Sequence, residues 1–143
     1  VGTIESYWQA QMNLLDEKEK LFFDDENWRI LTLAAQRIPA FIYTSADVKN
    51  SLISHGCKIS GTVSRSVLSS GVNIEKGAHI ADSIVLPDAT IEKGVKLKKV
   101  IVDAGVKISK ERANKIEEMR RTDKTAVIVV GKRKIQNAND IED

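Results

Sequence analysis

VSRSVLSSGVNIEKGAHIADSIVLPDATIEKGVKLKKVIVDAGVKI, running from Val63 to Ile108, decides the fold. Ile74, Ile91 and Ile108 are seventeen residues apart, as are Val63, Ile80 and Leu97, and Leu68, Val85 and Val102. Glu75-Lys76-Gly77 recurs as Glu92-Lys93-Gly94. A fixed period of this size marks a solenoid. From Ile74 the anchors step by six, five, six, six, five and six residues through Ile80, Val85, Ile91, Leu97, Val102 and Ile108. That is three short strands per turn, and a triangular prism.

Strand side chains alternate, so residues two apart share a face. Val72, Ala78, Ser83, Ala89, Val95, Val100 and Val106 precede the anchors by two and should point inward with them. Gly71, Gly77, Gly94 and Gly105 fall at corners, where a positive φ suits glycine. The repeat begins less regularly. His55-Gly56-Cys57 matches Ser70-Gly71-Val72 after fifteen residues, so an early turn should be about two residues short at one corner. Three to four turns, each rising about 4.8 Å, make a short prism whose ends need covering.

Around this prism, Thr3 to Leu15 reads as a helix capped by Thr3, with Ile4, Tyr7, Trp8, Met12 and Leu15 as its apolar stripe. Leu21 to Pro39 is irregular, with Phe22, Phe23 and Trp28 as anchors. Its acidic cluster Asp24-Asp25-Glu26 lacks the spacing of a calcium loop. After Ile108 the expected corner glycine is Glu111, so the repeat stops. Lys110 to Arg121 should form a short helix capping the last turn. Ala126 to Val130 should be a strand, docked on this solenoid or on a neighbour, and Gln136 to Asp143 a frayed polar tail. The expected fold is mainly β, a parallel β-helix with an N-terminal helix and a C-terminal helix-strand cap. Its parts are a linker over 1–40, the β-helix over 41–109 and the cap and tail over 110–143.

The 143 residues suffice for one core, and the net charge of +2 points to no class of partner. A single cysteine, Cys57, excludes a disulfide framework and fits a reducing, cytoplasmic compartment. No apolar run is long enough to span a membrane. Basic and acidic residues interleave without an aromatic platform, which argues against nucleic acid. The chain opens at Val1 without a methionine, as expected of a piece of a longer protein.

The pieces in order resemble the C-terminal part of bacterial glucose-1-phosphate adenylyltransferase, the ADP-glucose pyrophosphorylase family of glycogen synthesis. The resemblance rests on Val1-Gly2-Thr3-Ile4-Glu5-Ser6-Tyr7-Trp8, Met12-Asn13-Leu14-Leu15, Asn27-Trp28-Arg29-Ile30, Asn50-Ser51-Leu52-Ile53, Gly56-Cys57, Ile59-Ser60-Gly61, Ser66-Val67-Leu68, Arg121-Thr122-Asp123 and Val127-Ile128-Val129. It implies that the β-helix is a left-handed hexapeptide solenoid, an exception to the usual crossover hand. It also implies that the chemistry, joining ATP and glucose 1-phosphate with magnesium, lies in an upstream nucleotidyltransferase domain. The family's metal-holding aspartate immediately precedes the Val-Gly-Thr that opens this chain. No catalytic residue and no cofactor site is therefore expected here, and the piece alone should be inactive.

The resemblance further implies a role in subunit contacts, as a homo- or hetero-oligomer, and in binding anionic effectors against the chain's own catalytic domain. Some members use two tail arginines four apart. Arg121 matches the second, but the first falls on Glu117, so a fructose-bisphosphate response is not implied. Arg120, Arg121 and Lys124 remain the candidate effector-binding residues; a solvated basic face is the plainer reading of the same three. Two alternatives stand beside this one. A non-catalytic regulatory subunit would carry the same solenoid. A hexapeptide acyltransferase would use a histidine, and His55 and His79 are the two available. A zinc hydratase of this fold wants three histidine ligands, more than the chain has. The acyltransferase has no need of the N-terminal helix and the Trp28 segment.

Overall fold

The computed structural model describes residues 3–15 and 38–138 of the chain. Its centre is a parallel β-solenoid of four turns. The first turn is β1 (Phe41–Ile42), β2 (Asp47–Lys49) and β3 (Leu52–Ile53). The second is β4 (Lys58–Ile59), β5 (Thr62–Ser64) and β6 (Val67–Leu68). The third is β7 (Asn73–Ile74), β8 (His79–Ala81) and β9 (Ile84–Val85), and the fourth is β10 (Thr90–Ile91), β11 (Lys96–Lys98) and β12 (Val100–Val102). β13 (Lys107–Ile108) begins a fifth.

Like sides stack into three sheets. β1-β4-β7-β10-β13 form the first, β2-β5-β8-β11 the second, and β3-β6-β9-β12 the body of the third. The register is that of the sequence repeat: Ile59, Ile74, Ile91 and Ile108 form one column, and Val63, Ile80 and Leu97 another. These anchors and the small residues two before them are buried, so the prism is filled as the period predicts.

The short corner lies between β4 and β5, where only Ser60 and Gly61 intervene. The longer Glu75–Ala78 corner of the next turn folds over it, and Thr62 N donates to Ala78 O at 2.8 Å. The corner glycines Gly56, Gly71, Gly77, Gly94 and Gly105 all have positive φ. At the corner between the second and third sheets, non-glycine residues take that conformation: Asn50, Arg65, Asp82 and Lys99, with φ of 45–55°. Each precedes a ladder position. Ser51 Oγ accepts from Ser66 N, Ser66 Oγ from Ser83 N, and Ser83 Oγ from Val100 N, at 3.1–3.2 Å. Each hydroxyl also donates to the carbonyl two residues back. Buried Ser66 and Ser83 thus satisfy main chain that the tight corner leaves unpaired.

Two helices complete the described fold. α1 (Ile4–Leu15) begins with Thr3, whose Oγ1 accepts from Ser6 N at 3.0 Å. It lies on the outer face of the third sheet. There Val67, Ile84 and Ile101 precede the inward anchors and point outward, packing with Trp8 and Met12. Ile4 and Leu15 join this second core, while Tyr7, expected in the stripe, stays 44% exposed.

α2 (Lys110–Thr122) starts at Ser109, whose Oγ accepts from Arg112 N. It caps the far end of the prism with buried Ala113 and Ile116. The chain then returns as β14 (Ile128–Val130), parallel to β12, and β15 (Ile135–Asn137), antiparallel to β14. The predicted strand therefore docks on its own solenoid. Gln136 and Asn137, read as part of a frayed tail, are instead paired; residues 139–143 lie outside the described residues. So do Phe22, Phe23, the Asp24-Asp25-Glu26 cluster and Trp28.

Candidate functional site

The last turn of α2 and the loop after it bring the three candidate residues to one place. Arg120, Arg121 and Lys124 line an open groove of about 340 Å³ with Lys98 and Lys99, which come from the end of β11 and the corner that follows. All five lining residues are cationic, and two carboxylates act on them from outside the lining: Glu5 on Lys99 and Asp123 on Arg120. Such a concentration of like charge costs free energy unless an anion or solvent screens it.

The cations are not equivalent. Arg120 donates through Nη2 to Lys98 O at 2.6 Å and Lys99 O at 2.9 Å, and through Nη1 to Ala126 O. It ties α2 to the corner of the fourth turn and to the strand that follows. Burial pulls its pKa below the ordinary arginine value, with the Asp123 charge acting the other way. Arg121 and Lys124 are exposed. Lys99 is half-buried and joins three parts. Its Nζ donates to Thr125 O, lies 3.7 Å from Glu5 Oε1 and sits 4.8 Å above the Trp8 ring. Trp8 Nε1 in turn donates to Asp82 O at 2.6 Å. The groove wall and the first two turns of α1 therefore share one residue.

Asp123 closes α2. Thr125 N and the Thr125 hydroxyl both donate to its Oδ1 at 3.0 Å, and these bonds hold its pKa below the usual carboxylate value. Glu117, the acid at the departing position of the arginine pair, does not enter the groove. It lines a neighbouring one of about 320 Å³ on the outer face of the second sheet, beside His79, Lys96 and Lys98. The two grooves meet at Lys98 and Arg120.

His79 points outward on β8 and is exposed, as its place before Ile80 predicts; His55 is exposed at a corner of the first turn. They stand on different turns. Cys57 is fully buried, its Sγ 3.0 Å from Ser69 O, and burial raises its thiol pKa, so it packs as an apolar side chain. Among the described residues no three metal-ligating side chains gather, and no helix is long and apolar enough to cross a membrane. The contributions of Lys98 and Lys99 were not read from the sequence. Their signal was there: Lys96, Lys98 and Lys99 crowd the one turn that abuts the basic end of α2.

Comparison with known proteins agrees with this architecture. Residues 39–133 match the family model described as GlmU-like, C-terminal hexapeptide. The glucose-1-phosphate adenylyltransferase of Bacillus cytotoxicus is 39% identical over 131 residues, which is 92% of this chain and 34% of that protein. Those of Bacillus mycoides and Bacillus anthracis are 39% and 38% identical over 132 residues, 92% of this chain and 35% of theirs. The chain spans about a third of the length of the curated relatives it matches.

Proposed function

Given that this chain belongs to the GlmU-like, C-terminal hexapeptide family, we propose that it is the regulatory and subunit-assembly domain of a glucose-1-phosphate adenylyltransferase. In this reading ATP, magnesium and the sugar phosphate are handled upstream of Val1. The present residues bind an anionic effector and hold subunits together. One observation carries the regulatory half: the all-cationic groove shares Lys99 with the first turns of α1, the helix nearest the upstream chain. An anion that neutralises Lys98, Lys99, Arg121 and Lys124 would act where the upstream domain is joined. Arg120 is the structural member of the set, because its guanidinium already serves three carbonyls.

Two measurements test this. Pyrophosphate release from ATP and glucose 1-phosphate is expected from the chain extended upstream and absent from residues 1–143; release by the short chain would overturn the reading. Calorimetric titration of residues 1–143 with inorganic phosphate, against chloride at equal ionic strength, is expected to show binding. Arg121→Ala and Lys124→Ala should each weaken it several-fold without changing stability. Arg120→Met should instead cost about 1–3 kcal/mol of stability, since hydrogen bonds from a charged donor are lost. Phosphate binding indifferent to both Arg121 and Lys124 would remove the groove from the proposal.

A further inference from the structure

Within α1 one side chain is charged, that of Glu5 in the first turn. Its carboxylate lies 3.7 Å from Nζ of Lys99, which lines the cationic groove beside α2. Trp8, three residues on and on the same face of the helix, sets its ring 4.8 Å from the same Nζ. An ammonium carries three donor protons. Around Lys99 the three directions are taken by Thr125 O, the indole face and Glu5. An acid in a first turn suits the helix dipole wherever it points. The dipole does not account for its reaching across to a groove wall.

We propose that Glu5 is a built-in competitor for the groove's anion, so that anion binding and the docking of the first turns of α1 weaken each other. The inference rests on the effector half of the function proposed above, the binding of an anion in this groove, and needs neither the enzymatic nor the assembly half.

Three observations favour it. Lys99 is a lining residue whose charge an acid already holds in an ion pair, whereas Arg121 and Lys124 stand exposed at the same groove. Next, the Glu5 contact is the replaceable one of the three. Thr125 O is main chain, and its residue is tied to Asp123 through both its amide and its hydroxyl. Trp8 is buried and bonded to Asp82 O at 2.6 Å. The Glu5 side chain is 42% exposed, and its 3.7 Å separation from Lys99 is longer than a hydrogen bond. It can turn to solvent at little cost. Finally, it has reason to turn. An anion on Lys99 sets a second negative charge beside the carboxylate, and like charges that close repel.

The effect is confined to one end of α1. Met12 is fully buried and Leu15 packs beside it in the same outer core, so the helix stays on the third sheet while the turns around Glu5 and Trp8 loosen. Coupling of this kind is reciprocal: the factor by which the anion weakens α1 docking is the factor by which α1 docking weakens the anion.

The test is calorimetric titration of residues 1–143 with inorganic phosphate at constant ionic strength, with circular dichroism to confirm folding. Glu5→Gln keeps the size of the side chain and removes its charge. It should bind phosphate about threefold more tightly than the native chain, the scale of a part-exposed ion pair. Glu75→Gln makes the same change of charge at the corner after β7 and should bind as the native chain does. Hydrogen exchange is the second readout. Saturating phosphate should speed exchange in native peptides spanning Tyr7 to Gln9, leave those containing Thr90 and Glu92 unchanged, and have no such effect on α1 in Glu5→Gln. Phosphate bound equally by the native chain and Glu5→Gln would overturn the competition and leave the groove itself standing. So would phosphate that slows exchange in α1, since the two events would then reinforce each other. Phosphate bound by Glu5→Gln alone would support the proposal, the competitor then closing the site. Phosphate bound by neither chain would overturn both this proposal and the groove on which it rests.

Discussion

Gly61 is small for a different reason from the corner glycines. Its φ is not the cause; a Cβ there would run into Ala78 O, with Glu75 O next at 2.8 Å. Both are main-chain atoms of the corner that folds over the two-residue gap, and they have nowhere to go. Gly61→Ala should therefore cost about 2–3 kcal/mol, in the range of overpacking. Gly77→Ala, whose Cβ would meet nothing nearer than 3.7 Å, should cost only the left-handed conformation, about 1–2 kcal/mol. Urea denaturation of the two variants checks the order, and a larger loss at Gly77 would refute the close-approach argument. Ser83→Ala should cost about 1–3 kcal/mol in the same assay, because Val100 N loses its acceptor in a buried corner. At this scale the sequence was only partly legible. Glycines announce positive φ, and Asn50 and Asp82 are of types enriched there, whereas Arg65 and Lys99 carry no such signal, since arginine and lysine have no preference for that region. Ser66 and Ser83 read as small inward residues; that their hydroxyls bridge turns depends on corner geometry no periodicity encodes.

Among the elements, α1 and α2 were legible because each carries its cap and its stripe: Thr3 before Ile4, and Ser109 before Lys110. Where α1 docks was written in the sequence in a subtler form. The first sheet's anchors follow polar residues in Lys58-Ile59, Asn73-Ile74 and Thr90-Ile91, and the second sheet's do so in Thr62-Val63 and Lys96-Leu97. Beyond the first turn the third sheet alone shows apolar doublets, Val67-Leu68, Ile84-Val85 and Ile101-Val102, one residue facing in and one facing out. A side apolar on both faces must be covered on both. The docking of β14 had no such marker. Its run Val127 to Val130 is apolar on both faces too, but any free parallel edge could have received it. What selects β12 is α2, which occupies the end of the prism and delivers the chain to the third side. Trp8 anchors α1 by burying its ring against Ile84 and Ile101 and donating to Asp82 O. Trp8→Ala should therefore lower stability by about 3 kcal/mol or more. A loss under about 1 kcal/mol, within the range of surface substitutions, would mean that α1 is not part of the folded unit.

For the molecule as a whole, a solenoid transmits stability only between neighbouring turns, so its ends and middle need not open together. Here the asymmetry is built in. The fourth turn is held from both sides, by β9 below and by α2 and β14 above, and its Ile91 and Val102 are fully buried. The first turn is held from one side. Its amides of Phe41, Tyr43 and Leu52 donate to Cys57 O, Ile59 O and Ser66 O at 2.7–3.0 Å, but nothing described lies below them to keep water out. Native-state hydrogen exchange should then show a gradient along the solenoid. Peptides containing Phe41, Tyr43 and Leu52 should exchange at low opening free energy, those of the second turn later, and those containing Thr90 and Glu92 only with global unfolding. The period of the repeat does not contain this result, because it treats every turn alike; the gradient follows from what closes each end. Uniform protection across all four turns would show a single cooperative unit, and would contradict the claim that this prism is closed at one end and open at the other.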